Sequence, residues 1–239
     1  MNKFLSKKTK PSNSILNRID NDLTGAKFRI LNEKLYTMSS KDAFEFFEDN
    51  KEDFEIYHKG FSSQVSKWPA NPNDLIIRSL KQKRYKDSVI ADIGCGEAKL
   101  ASTLVPMGYK VYSYDLVAVN EYVTRADMKD LPLENNTCDI VVFCLSLMNK
   151  NFVQFIAEAN RIMKRGGKLV VAEITSRIVD LKKFVNEFKK INFKLIKNVN
   201  VKDFFVILTF KKMGDCKEEN YDNDKETYDI LKPCIYKKR

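Results

Sequence analysis

Between residues 88 and 100 the chain reads Ser88-Val89-Ile90-Ala91-Asp92-Ile93-Gly94-Cys95-Gly96-Glu97-Ala98-Lys99-Leu100. A short apolar run ends on two glycines, and carboxylates flank them on both sides. The run has the length and content of a buried strand, and a helical pattern follows it. The glycines then form a tight strand-to-helix turn, where backbone can bend and a ligand can approach closely. In a doubly wound sheet that turn borders the crevice at the carboxyl ends of the strands. A dinucleotide fingerprint would need a third glycine, with a helix N-terminus open to pyrophosphate. Here Lys99 stands at that third position, and Asp92 and Glu97 would repel a pyrophosphate. The same carboxylates suit a cationic ligand that carries no phosphate.

S-adenosylmethionine, with its sulfonium and ammonium groups, is such a ligand, and the spacing of further residues agrees with it. Asp115 closes the next apolar run, where an acidic side chain accepts both ribose hydroxyls; a helix cap is its structural alternative. Asp127-Met128 follows the third run. A carboxylate there can accept from the adenine amine while the thioether packs on the ring, and a plain turn is the alternative. The fourth run and its exit, Asp139–Met148, border the place where a methyl group would be transferred. Cys144 within it reads as a cofactor contact rather than a nucleophile. Glu173 either faces the cleft or pairs with Arg177, and Lys164-Arg165-Gly166-Gly167-Lys168 reads as a structural helix-ending turn. Taken alone, His58, the only histidine, reads as a satisfied structural side chain, and Trp68 either packs the N-terminal segment onto the sheet or stacks on a target base. The chain has neither a [D/N/S]-P-P-[Y/F/W] segment after the fourth run nor a Pro-Cys dyad. Alkylation of a ring nitrogen requires neither, because the lone pair is already there and alignment does most of the work.

The elements that must hold these residues alternate. Strands are predicted over residues 88–93, 110–115, 122–126, 138–145, 167–173, 193–199 and 203–211, and helices over 98–106, 151–164 and 177–191. In the last helix Ile178, Leu181, Val185 and Phe188 form one face. Alternation of this kind builds a mostly parallel, doubly wound sheet. The final pair of strands is too closely spaced for a crossover, so it makes an antiparallel hairpin at one side. The expected division is a basic flexible arm over 1–24, a helical extension over 25–87, the ligand-binding core over 88–213, and a polar loop with the C-terminal tail over 214–239.

Composition bounds the rest. The 239 residues are 44% hydrophobic and 31% charged, enough for one globular core. No stretch approaches the ~20 apolar residues of a membrane span, and the start of the chain lacks an apolar leader segment. Five cysteines without a CxxC pair, beside a single histidine, argue against a disulfide framework or a Cys/His zinc site. The expectation is therefore no membrane, no metal, and free thiols in a cytosolic or nuclear protein. The net charge of +10 gathers in Lys3, Lys7, Lys8, Lys10 and Arg18, in Lys81, Lys83, Arg84 and Lys86, and in Lys237, Lys238 and Arg239. Such clusters suit a polyanion such as RNA, the alternative being solvated lysine-rich surface.

Several segments together resemble the ribosomal RNA-processing protein 8 family. They are the Asp92–Leu100 turn, Asp115-Leu116, the run Cys144-Leu145-Ser146-Leu147-Met148, and Glu158-Ala159-Asn160-Arg161. The N-terminal segments Lys27-Phe28-Arg29, Leu31–Tyr36, Tyr57–Phe61, Gln64-Val65 and Trp68-Pro69 agree, as does Pro233–Lys237. The resemblance implies a class I (Rossmann-like) α/β methyltransferase, with a seven-stranded sheet, the last strand antiparallel, and an N-terminal helical extension. It implies S-adenosyl-L-methionine as cofactor, held by His58, Asp92, Gly94, Gly96, Asp115, Asp127, Met128 and Cys144, with His58 as a lid residue rather than a general base. It further implies a nuclear, nucleolar enzyme that methylates N1 of an adenine in large-subunit rRNA or a pre-ribosomal particle. A related metazoan role is a cofactor-binding, histone-recognising subunit of a silencing complex; with only residues 1–24 ahead of the extension, the RNA role is the expected one. A monomer is the expected oligomeric state, which the residues do not fix.

Overall fold

The computed structural model describes residues 13–217 and 229–236, with side chains from Leu23 onward. Four helices come first: α1 (Asn13–Thr37), α2 (Ser40–Asp49), α3 (Lys51–Val65) and α4 (Pro72–Leu80). Their boundaries follow from local chemistry. Ser39 and Asp42 form a reciprocal capping box at the start of α2. At α4 the Asn71 side chain accepts from Asn73 N, and Pro72 occupies the first turn, where its missing N–H is harmless.

The alternating half follows: β1 (Val89–Ile93), α5 (Lys99–Leu104), β2 (Lys110–Asp115), β3 (Val123–Arg125), β4 (Cys138–Cys144), α6 (Phe152–Ile162), β5 (Met163–Ile174), α7 (Leu181–Lys190), β6 (Phe193–Val201) and β7 (Phe205–Lys212). The seven strands lie in the order β3-β2-β1-β4-β5-β7-β6. The pairings from β3 through β5 are parallel, and β7 runs antiparallel to both β5 and β6. Strand order reverses between β1 and β4, which makes a crevice at their carboxyl ends.

Both faces of the sheet are covered. Phe152, Phe155, Ile156, Phe184 and Phe188 bury one face under α6 and α7. Ile76, Ile77, Leu80, Leu100 and Leu104 bury the other under α4 and α5. Each such side chain contributes roughly 1.5–3 kcal/mol. The extension has its own cluster of Phe28, Leu31, Leu35, Phe47, Phe54 and Tyr57, which closes on Leu116 and Val117 just beyond β2. That contact sets α3 above the carboxyl ends of the strands.

The structure corrects several boundaries. Helix α1 starts at Asn13, so residues 13–24 are helical rather than part of a flexible arm; residues 1–12 lie outside the described residues, as do Lys237–Arg239. The predicted helix over 177–191 spans only Leu181–Lys190, because Asp180 caps it through Lys182 N and Lys183 N. Ile178 therefore leaves the helix face and bridges to Leu231. Lys164–Gly167 is not a turn before β5 but an irregularity within it, between the Cys138↔Met163 and Ile140↔Lys168 pairs. A side chain at Gly167 would meet Asp139 O and Lys164 O at 2.9 Å, so the role there is structural, as expected. Residues 229–236 are more than a polar tail: Ile230 and Leu231 are buried.

Candidate active site

The glycine turn bends as its residues require. Gly94 and Gly96 take φ of +71° and +60°, where L side chains are strained. A Cβ at Gly94 would lie 2.3 Å from Ser146 Cβ, and one at Gly96 would lie 3.0 Å from His58 Cε1. The turn is thus pressed between the loop after β4 and helix α3. Gly94 N and Cys95 N both donate to Tyr114 O, at 2.8 and 3.1 Å. Ser146 Oγ donates to Ile93 O at 2.7 Å. Asp115 completes the arrangement, its Oδ2 accepting from Gly96 N (2.6 Å) and its Oδ1 from Leu116 N (2.7 Å).

Around this turn lies a cavity of about 300 Å³. From the sheet it is lined by Asp92, Gly94, Gly96, Asp115, Met128 and Cys144, and from the extension by His58. Those predicted residues are therefore brought together. Asp127 is the exception and does not line the cavity: its Oδ1 accepts from Lys129 N (3.1 Å), as a turn aspartate does. Glu173 pairs with Arg177 at 2.6 Å, both fully buried, and Arg177 also donates to Leu147 O and Lys232 O. Glu173 is thus a structural partner and does not line the cavity. Trp68 packs against Phe61 and Phe205 and also lines the cavity.

The electrostatics are those of a site short of positive charge. Asp92 is 2% exposed, and its Oδ2 has no hydrogen-bond partner. Burial, then the charge of Asp115, pushes its carboxyl up to about 7. Burial also raises the Asp115 carboxyl, against the pull of His58 and its two N–H donors. Burial lowers His58, against the pull of Asp115 and Glu97, so the imidazole is neutral at physiological pH. The Cys144 thiol is pushed well up by burial and by nearby carboxylates, which removes it as a nucleophile. Lys99, beside the turn, is bound to Asp74 at 2.6 Å.

This donor set fits S-adenosylmethionine. It offers buried acceptors to cationic and hydroxyl groups, glycines where a Cβ would fill the cradle, and Met128 for a ring face. It does not offer the free cations a pyrophosphate needs. Among the described residues no group of three or more His, Cys, Asp or Glu side chains could hold a metal ion, and no helix is long and apolar enough to cross a membrane. Sequence reasoning missed Asn73 as a lining residue, whereas Leu145 and Ser146 fall within the Asp139–Met148 exit expected to border the site. Ser146 and Leu145 lay in the Cys144–Met148 run, but only the loop geometry turns them toward the cavity.

Strand order, the reversal at β1/β4, the reversed β7 and the glycine cradle together define the class I methyltransferase fold. A family described as a hypothetical methyltransferase matches residues 14–239. The chain is 44% identical to ribosomal RNA-processing protein 8 of Dictyostelium discoideum over 98% of its own length and 62% of that protein. It is 42% identical to the 25S rRNA (adenine(645)-N(1))-methyltransferase of Schizosaccharomyces pombe over 100% of its length and 76% of that enzyme. The chain belongs to the ribosomal RNA-processing protein 8 family. It spans about three fifths of the length of the Dictyostelium and Caenorhabditis relatives. Among solved structures, a Burkholderia thailandensis 1,6-didemethyltoxoflavin-N1-methyltransferase with bound S-adenosylhomocysteine shares the fold, with a TM-score of 0.54, 14% identity, and coverage of 71% of this chain and 90% of that one.

Proposed function

We propose that this chain is an S-adenosylmethionine-dependent methyltransferase acting on N1 of an adenine in large-subunit ribosomal RNA during ribosome biogenesis. The observation that carries the reading is the closed glycine cradle with its two buried carboxylates, in a chain 42% identical to an rRNA adenine-N1 methyltransferase along its whole length. A nuclear, nucleolar location and a monomeric state are part of the same reading.

When bound, S-adenosylmethionine supplies a methyl carbon attached to a cationic sulfur. Asp115 is placed to accept the ribose hydroxyls with the lone pairs left by Gly96 N and Leu116 N. Asp92, its carboxyl pushed up to about 7 by burial, would ionise to meet the positive part of the ligand. Met128 packs on the adenine ring, and His58 covers the ligand from α3 as a neutral lid. Cys144 borders the transferred methyl without reacting. Adenine N1 would bring its own lone pair to that methyl carbon, so this chain's residues need only hold base and cofactor in line. The positive charge passes to the base, so no general base is required. Asp127 would contribute to adenine recognition through Oδ2, since its Oδ1 already accepts from Lys129 N.

The Lys81, Lys83, Arg84 and Lys86 cluster, exposed at the end of α4, is suited to the phosphate backbone. The segments 25–87 and 88–213 act as one unit in this reading, because the extension supplies the lid to the core. The test is transfer of tritiated methyl from S-adenosylmethionine to unmodified large-subunit rRNA, followed by nucleoside mass spectrometry. Label in 1-methyladenosine is the expected result. Cofactor binding without transfer to RNA would instead favour a non-catalytic binding module.

A further inference from the structure

The cavity has two unlike ends. Asp115, Glu97 and His58 make one end polar, and the ribose position at Asp115 fixes that end for the cofactor. Phe61, Val65, Trp68 and Leu145 make the other end apolar and aromatic. Between the ends lies Cys144, at the exit of β4. Whatever accepts the methyl group must approach from the end the cofactor's ribose does not occupy.

Two features of the aromatic end call for a ligand. The Asn73 side chain lines the cavity, and its Oδ1 is buried with no hydrogen-bond partner. A buried orphan acceptor costs roughly 1–3 kcal/mol unless a donor reaches it. The backbone that carries it is held at the start of α4, where Asn73 N donates to Asn71 Oδ1 at 2.9 Å. The second feature is Leu145, a branched residue held at φ of +61°, outside the range such residues normally adopt. It packs with Trp68 and Leu75 and donates its N–H to Ala172 O at 3.0 Å. Strain of this kind costs about 1–3 kcal/mol and collects at ligand sites.

The aromatic end also opens outward. Trp68 is backed by Phe205 at 5.0 Å and flanked by Phe204 at 6.4 Å, and Phe204 is 37% exposed. Lys67 and Lys202, the neighbours of these rings along the chain, are exposed. The carboxylate at the hairpin tip, Asp203, is held by Asn200 Nδ2 at 2.9 Å. Flat rings beside free cations are the surface that takes an unpaired base and its phosphates.

We infer that the Trp68 end of the cavity is the subsite for the target nucleobase, with Trp68 and Phe61 against the ring and Asn73 Oδ1 accepting from its exocyclic amine. The subsite rests on the proposed methyltransferase reading and adds a basis for choosing adenine. A purine that presents a carbonyl at the same place would set acceptor against acceptor and be rejected.

Trp68 is the only tryptophan in the chain, so fluorescence excited beyond the tyrosine absorption band reports on this subsite. The probe is a short oligouridine with one central adenosine, titrated into the full chain already saturated with S-adenosylhomocysteine. A matched oligomer carries purine riboside, which lacks the amine. Binding of the labelled oligomers is followed in parallel by anisotropy. The expected result is saturable quenching of Trp68, with the adenosine oligomer bound about tenfold tighter than the purine riboside oligomer. Asn73→Ala should remove that preference, and Asn73→Asp, which keeps an acceptor, should restore it. Binding by anisotropy without quenching would overturn the subsite while leaving the RNA reading intact. So would a preference that survives Asn73→Ala. No binding of either oligomer, with S-adenosylhomocysteine still binding by calorimetry, would overturn the RNA reading and the subsite together.

Discussion

Two buried charges at opposite ends of the sheet are treated in opposite ways. At the end of β7, Lys212 is fully buried, and its ammonium donates to Asn160 O and Met163 O at 2.7 Å and to Asn136 Oδ1 at 3.0 Å. Asp215 completes the set at 2.7 Å. At the carboxyl end of β1, Asp92 is equally buried and leaves one oxygen without a partner. A buried charge whose positions are all filled from within the chain has a structural task. A buried carboxyl whose second oxygen stays unpartnered at a cavity wall leaves a position open to a ligand. Burial alone does not separate the two; the census of partners does.

The comparison can be broken first at its structural end. Lys212→Ala leaves three acceptors unsatisfied beside Asp215 and should cost about 3–5 kcal/mol of stability, read from urea unfolding. The folded fraction should bind cofactor as the parent does; a loss of cofactor affinity larger than the unfolded fraction explains would blur the distinction. Asp115→Ala should act the other way round. It should weaken S-adenosylmethionine by an order of magnitude or more in calorimetry, because a charge-assisted bidentate contact goes. Unchanged affinity would defeat the ribose assignment.

Asp92 sharpens the contrast through pH. Its carboxyl titrates at about 7 in the folded chain and near 3.8 in an exposed one. The unfolded chain therefore loses its proton first as pH rises. Stability without ligand should fall from about pH 4 to about pH 7 and level off above, and Asp92→Asn should flatten that slope. Cofactor affinity should rise over the same window as the carboxylate ionises, and a flat affinity profile would place the ligand's cation elsewhere. The smallest effect is expected from His58→Ala, which should lower methyl transfer several-fold. Its circular dichroism melt should stay cooperative; gross unfolding would make His58 a structural side chain after all.

Much of this was legible in the sequence, for identifiable reasons. Short apolar runs alternating with helical patterns after residue 88 located the seven strands, and the short spacing between the last pair announced the hairpin. The glycines, Asp92 and Asp115 stood out because a tight turn and a strand end impose residue types. Helix α1 was underestimated because the basic, polar residues around it obscured the helical spacing of Ile15, Leu16, Ile19 and Leu23, which runs on into the Phe28–Leu35 face. Lys164–Gly167 reads as a turn in any chain, and only the pairing of Met163 with Cys138 makes it part of a strand. Asp127 was assigned to the cofactor by position, whereas its side chain found a nearer donor in Lys129 N. Asn73 was invisible, and Leu145 was read only as part of the fourth run's exit, because an unpartnered oxygen and a left-handed φ are properties of folded geometry, not of spacing.

The C-terminal residues carry one more consequence. Asn32 on α1 donates to Cys234 O at 2.8 Å, the Phe28 and Tyr236 rings meet at 5.2 Å, and Lys232 bonds Arg177 in both directions. The first helix, the sheet and the last residues thus meet at one clasp. On the ribosome, where a chain grows by roughly 5–20 residues per second, the early helices emerge long before their clasp exists. Helix α1 gains its Cys234 and Tyr236 contacts only after residues 229–236 have left the exit tunnel. A nascent chain that has not yet made residues 229–236 lacks that clasp beside the cavity, so these residues are among the last parts of the cavity wall's support to arrive.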